Sequence, residues 1–213
     1  MTKKIYVVGG SHWYASWITD SVLVDRVERA DIVLFTGGED VDPQMYNKEK
    51  HHTTYSNIER DLFEKEVFDK IKPNQLALGI CRGSQFLCIM NGGILVQNCH
   101  NHALNHTHPI VNINNECYDI TSTHHQMQYP FTINSEYYDI LYYTHCRSDV
   151  YEGDGVEENK LQRFGDVEIV EYHVPNKPIC LAIQGHPEMM PNTAPVITML
   201  NKLINNSLNK IQK

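Results

Sequence analysis

The chain has no basic block anywhere. Its 18 Lys and Arg are scattered, 26 Asp and Glu outnumber them, and the formal net charge is −8. Phosphate backbones are gripped by clustered Lys and Arg, so no nucleic-acid partner is expected. Also missing is any stretch approaching the roughly 20 apolar residues of a membrane span, so no membrane partner is expected. The amino terminus, MTKKIYVVGG, lacks the small-residue cleavage site of a signal peptide and leads straight into a β-like run. No CxxC pair occurs among the six cysteines, Cys81, Cys88, Cys99, Cys117, Cys146 and Cys180. They read as reduced thiols. Neither an internal repeat nor a Pro/Ser/Gly-rich linker divides the 213 residues, of which 41% are hydrophobic. These absences predict a soluble, cytoplasmic protein with one domain spanning 1–213.

What is present alternates. Short apolar runs at 5–8, 32–35 and in QLALGI end in or near glycine and read as strands. Between them ITDSVLVDRVERA has helical spacing, with Thr19 or Asp20 as N-cap. SNIERDLFEKEVFDKIK places Ile58, Leu62, Phe63, Val67 and Ile71 on one face, with Pro73 closing it. RGSQFLCIMNGG reads as a helix ending at Gly92 and Gly93. Strand–helix alternation implies a parallel sheet with right-handed crossovers, and strands apolar throughout imply helices on both faces. After Gly93 five further strands follow without helices, in PIVNIN, CYDIT, YDILYYTH, VEIVEYH and ICLAIQGH. HCRSDVYEGDGVEENK reads as a long surface loop. A last helix over 194–208 leads into an asparagine-rich tail expected to fray. The fold class is therefore α/β: three layers around a mainly parallel sheet, with a β-rich second half.

One junction carries chemistry. In LALGICRGSQFL, Cys81 falls between a strand and a helix, with Gly79 and Gly83 two positions away on either side. A sharp strand-to-helix turn holds a nucleophile above the edge of a parallel sheet, and glycines admit the tight backbone. At a helix amino terminus the free N–H groups favour a thiolate, and the amide of Arg82 lies ready for an oxyanion. Cys88, Cys117 and Cys180 sit in apolar periodic runs and read as inert. A base is offered by IQGHPE, where His186 and Glu188 would face one way in an extended chain. A carboxylate beside an imidazole orients it and stabilises its protonated form.

GICRGSQ, TGGEDVDP, STHHQ and IQGHPE, in these positions, resemble the class I glutamine amidotransferase-like superfamily. The Arg after the nucleophile, the GGEDVDP loop with the following MY and ERD, and the HHQ segment are similar to its γ-glutamyl hydrolase branch, nearest the γ-glutamyl-GABA hydrolase type. That resemblance, covering most of the chain, implies a flavodoxin-like fold and a hydrolase that forms a γ-glutamyl thioester and needs no cofactor. It assigns Cys81 as nucleophile, His186 as base and acid, and Glu188 as the residue orienting it. The backbone amides of Gly38 and Arg82 match the oxyanion hole. Gln85 with Thr123, His124, His125 and Gln126 match positions that hold the glutamyl group. The substrate is then a γ-glutamyl conjugate of a small amine. The alternative is a glutaminase subunit delivering ammonia to a synthetase partner; CRG in place of the CLG common in synthetase-linked members favours the first reading. A non-catalytic relative would lack the His–Glu pair that this chain has. Gly185 stands where the family often has a bulky aromatic, which is expected to widen the site.

Other features invite a plainer reading. HNHALNHTH holds His100, His102, His106 and His108, but no Cys or carboxylate completes a set locally. A loop near the mouth of the site is expected there, and no metal. GGSHWYASW follows the first strand and either lines the pocket or simply packs. ERDLFEKEVFDK reads as a charged helix face with i, i+4 pairs.

Overall fold

The computed structural model describes residues 2–145 and 147–212; Cys146 therefore lies outside the described residues. The strands are β1 (Lys3–Val8), β2 (Ser21–Leu23), β3 (Ile32–Phe35), β4 (Leu76–Ile80), β5 (Ile94–Val96), β6 (Asn98–Cys99), β7 (Ala103–Val111), β8 (Cys117–Thr123), β9 (Met127–Tyr129), β10 (Tyr138–Thr144), β11 (Tyr151–Glu152), β12 (Asp166–Tyr172) and β13 (Cys180–Ile183). The helices are α1 (Ile58–Phe68), α2 (Arg82–Met90), α3 (Glu158–Phe164) and α4 (Pro195–Ile211). Nine strands form one sheet in the order β2-β1-β3-β4-β13-β12-β10-β7-β8. Pairing is parallel from β2 through to β13 and antiparallel from there to β8. This is the expected α/β architecture, with the parallel half carrying the Cys81 junction.

Strand alternation explains why the central strands are apolar at every position. Ile32, Leu34, Leu76, Leu78, Leu181 and Ile183 join one core with Leu200 and Ile204 of α4. Val33, Phe35, Ala77, Cys180 and Ala182 point the other way, into a core with Val67 and Phe68 of α1 and Phe86 of α2. Period-two alternation between two helix-covered faces leaves no solvent side.

Five local expectations change. The segment after Asp20 is no helix: Asp20 takes φ 51°, its C=O accepts from Lys3 N–H at 2.7 Å, and β2 follows as a parallel edge strand. Its β-branched Val22 suits an extended strand better than a helix. On α1 the buried side is only partly the expected one: Val67 is buried with Phe68, but Leu62 and Phe63 are about half exposed while Asp61 and Glu64 are fully buried. The tail does not fray before Ile211: Asn201 donates to Trp17 O at 3.1 Å and accepts from Thr19 N–H at 2.9 Å, and Ser207 donates to Glu171 at 2.6 Å. The histidine-rich stretch is mostly the long strand β7, and the loop after β10 holds the short strand β11 and runs into α3. Among the described residues no helix is long and apolar enough to cross a membrane.

Candidate active site

Cys81 is the N-cap of α2 and takes φ 52°, ψ −111°, a conformation rare for any residue with a side chain. Neighbouring elements hold it there. Its N–H donates to Ile183 O on β13 at 2.8 Å, and its C=O accepts from Ser84 N–H at 2.9 Å, Ser84 Oγ at 2.7 Å and Gln85 N–H at 3.2 Å. The flanking glycines are needed for space. A Cβ on Gly79 would lie 2.4 Å from Gly83 O, and one on Gly83 would lie 2.2 Å from Phe35 O. The turn thus closes only because three backbones touch. The N–H of Arg82, first residue of α2, is one of those a helix cannot satisfy internally.

His186 and Glu188 arrive on the adjacent strand's exit. Pro187–Met189 forms a single 3-10 turn rather than extended chain, yet it still brings His186 Nδ1 to 2.7 Å from Glu188 Oε1. Since a carboxylate only accepts, Nδ1–H donates and Nε2 is left for Cys81. Burial alone would lower the imidazole's pKa, but the Cys81 and Glu188 side chains outweigh it and hold it up to about 10. An imidazolium next to Cys81 is the counter-ion that a thiolate requires. Cys81, His186 and Glu188 are only 5–6% exposed, so little water reaches the pair.

The glycine loop after β3 is fixed from α1. Arg60 donates to Gly37 O at 3.0 Å, Thr36 Oγ1 at 3.3 Å, Glu39 at 2.7 Å and Glu64 at 2.9 Å. Gly38 takes φ 143°, and Arg60 occupies the space a Cβ there would need. Gly37 lies against Tyr14 and the His186 ring. Tyr14, from GGSHWYASW, therefore does border the site, and its pKa is raised by burial and then by Glu188 and Cys81. Trp17 of the same stretch is ordinary core, and Trp13 is exposed.

The Arg82 side chain turns away from the site. It is buried and paired with both Asp61 and Glu64 of α1. Asp61 and Glu64 are thus internal partners for two arginines, while Arg60–Glu64 and the exposed Lys65–Asp69 are i, i+4 pairs of the kind expected on this helix. Asp61 also accepts from Asp42 N–H at 2.8 Å, which ties the GGEDVDP loop to the same cluster.

The residues expected to hold substrate meet one another. Gln85 Nε2 donates to Gln126 O at 2.8 Å, and His124 Nδ1 donates to the same oxygen at 2.8 Å. Gln126 Nε2 donates to Thr54 Oγ1 at 3.1 Å, while its buried Oε1 has no hydrogen-bond partner among the described residues. His125 Nε2 sits 3.0 Å from an Asp40 oxygen, and that hydrogen bond raises the imidazole's pKa despite partial burial. His124, fully buried, is held neutral by desolvation and by its histidine neighbours. Thr123 ends β8 and is half-buried. Gln85 and His124 therefore brace the segment through the Gln126 main-chain oxygen, while the Gln126 side-chain Oε1 is unpartnered among the described residues and His125 is part-exposed. Asp40, Thr54 and Arg60 complete this framework; only their place in GGEDVDP and ERD hinted at the first and last.

Gly185 does not widen the site. A Cβ there would lie 2.7 Å from Ile120 Cδ1 and 2.9 Å from Thr121 O, because β8 passes directly over it and Thr121 O accepts from His186 N–H at 3.0 Å. Ile120 fills the space an aromatic would take. The larger surface grooves lie on the antiparallel half, beside α3 and α4, and are not lined by Cys81, His186 or Glu188.

Known proteins share parts of this arrangement. The chain is 33% identical over 81 residues to protein NtpR of Enterococcus hirae, covering 37% of this chain and 33% of that one. It is 34% identical over 100 residues to a protein of Rickettsia prowazekii named as glutamine amidotransferase-like, covering 45% and 35%. The matched segments thus span about a third of the length of these curated relatives. Among solved structures, a GMP synthase component from Thermoplasma acidophilum superposes with TM-score 0.60 at 16% identity, over 100% of this chain and 95% of that one. A glutamine amidotransferase from Thermotoga maritima gives 0.54 at 11%, over 100% and 97%. At such identities the likeness is one of fold. Residues 14–188, which include the glycine loop, the Cys81 turn and the His186–Glu188 pair, match the Peptidase C26 family. The chain belongs to that family.

Proposed function

We propose that this protein hydrolyses the amide bond of a small γ-glutamyl conjugate through a thioester on Cys81. The observation that carries the reading is the strained Cys81 turn set against a buried His186 whose imidazole pKa is raised to about 10 beside Cys81 and Glu188. The Cys81 thiolate attacks the γ-carbonyl carbon. The resulting oxyanion is met by the amides of Arg82 and Gly38, which the start of α2 and the Arg60-fixed loop present. His186 Nε2 then gives its proton to the departing amine, and the C–N bond breaks to leave a γ-glutamyl thioester. The same nitrogen takes a proton from water, whose attack releases glutamate and the free thiol. Glu188 keeps the imidazole in the tautomer both steps need. Gln126, through its unpartnered Oε1, and His125 bind the glutamyl end.

The test is glutamate release by the purified protein from glutamine and from a panel of γ-glutamyl amides, with Cys81→Ala as control. Fast turnover of one conjugate and little of glutamine is expected. Weak turnover of every substrate, lost in Cys81→Ala, would favour the competing reading, a glutaminase that works only with its synthetase. Turnover that survives Cys81→Ala would end the thioester mechanism.

A further inference from the structure

Behind the HHQ segment lies a second cluster that this chemistry does not use. His102, His108 and Glu168 are all at most 2% exposed, and one ligand atom from each falls within 4.8 Å of the other two. His108 Nε2 is 3.1 Å and His102 Nδ1 is 3.8 Å from Glu168 Oε1. Despite that proximity none of these atoms is hydrogen-bonded among the described residues: Glu168 Oε1 and Oε2, His102 Nδ1 and both His108 nitrogens lack a partner. A buried carboxylate with two unsatisfied oxygens, beside buried imidazole nitrogens that are themselves unsatisfied, is poorly explained by protein groups alone.

We propose that His102, His108 and Glu168 form a structural Zn²⁺ site. Two imidazoles and one carboxylate are a donor set that suits zinc, whereas Mg²⁺ and Ca²⁺ demand many oxygens. Ligands about 2.0–2.1 Å from a tetrahedral zinc lie roughly 3.3 Å apart, between the two separations seen here. The surroundings match a metal-bound histidine. The other nitrogen of His102, Nε2, donates to Asp166 at 2.9 Å, which fixes the tautomer with Nδ1 turned to the metal. Asp166 is itself held by Arg147 N–H at 2.8 Å and Tyr151 OH at 2.6 Å. Water fills the fourth position. The ion ties β7 to β12 across β10, and the His102 ring lies 4.6 Å from that of His124, so it also buttresses the first residue of HHQ. Sequence spacing hides the site because its carboxylate comes from β12, 60 residues beyond His108.

The measurement is the zinc content of the full-length protein after exhaustive dialysis, followed by titration of the metal-free protein with Zn²⁺ and with Co²⁺ as a spectroscopic stand-in. One zinc per chain is expected, with the visible absorption of tetrahedral cobalt on replacement. Glu168→Gln and His102→Ala should reduce both by at least about tenfold, while His100→Ala and Cys81→Ala keep them. Near-UV circular dichroism establishes that each variant is folded, and the isosteric Glu168→Gln carries the argument if His102→Ala is not. A folded wild type that takes up neither metal would overturn the proposal, leaving a bare imidazole–carboxylate pair. So would zinc retained in folded Glu168→Gln, or zinc lost in Cys81→Ala.

Discussion

Five described thiols share this chain but not one environment. Burial pushes the Cys88 and Cys180 thiols up to about 12 and that of Cys99 up as well, so none of the three offers a thiolate near neutrality. Cys117 is exposed and has no imidazole described beside it, whereas Cys81 faces one that stays cationic. Iodoacetamide at neutral pH should therefore modify Cys81 first, and His186→Gln should slow that modification at least about tenfold. Equal labelling of Cys81 and Cys117 by peptide mapping would remove the activated nucleophile. A second residue-scale expectation concerns His125. Its pKa is raised above 6.5 by the hydrogen bond to Asp40, so the stabilisation it adds is complete below that value and is lost as pH climbs through the raised one. His125→Gln should thus destabilise the protein more at about pH 6 than at about pH 9 in urea titrations, and a pH-independent difference would mean the pair carries no charge. At this scale the sequence was informative where geometry is local: Cys81 in its glycine frame and His186 two residues from Glu188. It was silent on Thr54 and gave Asp40 and Tyr14 only as members of longer stretches, because their relevance depends on loops that converge only in three dimensions.

Elements show why two expectations failed. On α1 the spacing of Leu62 and Phe63 points to one face, yet the helix is rotated by its ion pairs, because Asp61 and Glu64 have arginines to meet and Leu62 and Phe63 do not. Charge pairing with a distant residue overrides a helical stripe whenever that residue is buried. Gly185 is the second case. Replacing it by Ala should destabilise by about 1–3 kcal/mol, read from the urea midpoint, because β8 leaves no room beside it. A Gly185→Ala variant as stable as the parent would mean that β8 shifts freely. The glycine loop gives a catalytic counterpart. Arg60→Gln frees residues 37–39 without touching substrate, and kcat should fall up to about 10²-fold with KM little changed. Arg60→Lys should recover little, since an ammonium cannot reproduce the forked contacts to Gly37, Glu39 and Glu64. An Arg60→Gln enzyme with normal kcat would show that the loop holds its shape unaided.

Across the whole molecule the alternation of apolar runs announced the parallel half, since buried central strands flanked by helices leave few other arrangements. The sheet's order was not legible, because nothing in Cys180–Ile183 says that it inserts between β4 and β12. Nor did composition reveal that Arg82, Asp61 and Glu64 weld α2 to α1 through the interior. Arg82→Met leaves buried Asp61 with only the Asp42 N–H and Glu64 with only Arg60, and should lower unfolding free energy by about 3–5 kcal/mol. Adding Asp61→Asn and Glu64→Gln should return most of that loss, and no recovery in urea denaturation would assign the damage to packing instead. The position of β13 has a temporal consequence. On the proposed mechanism Cys81 is made 105 residues before His186, and the strand that leads to His186 is the one that joins the parallel half to the antiparallel half. While the ribosome is still adding β12, Cys81 is an ordinary thiol on an unfinished sheet. On that mechanism His186 reaches Cys81 only once β13 has docked on β4, so a nascent or misassembled chain lacks the imidazole that arms the thiol.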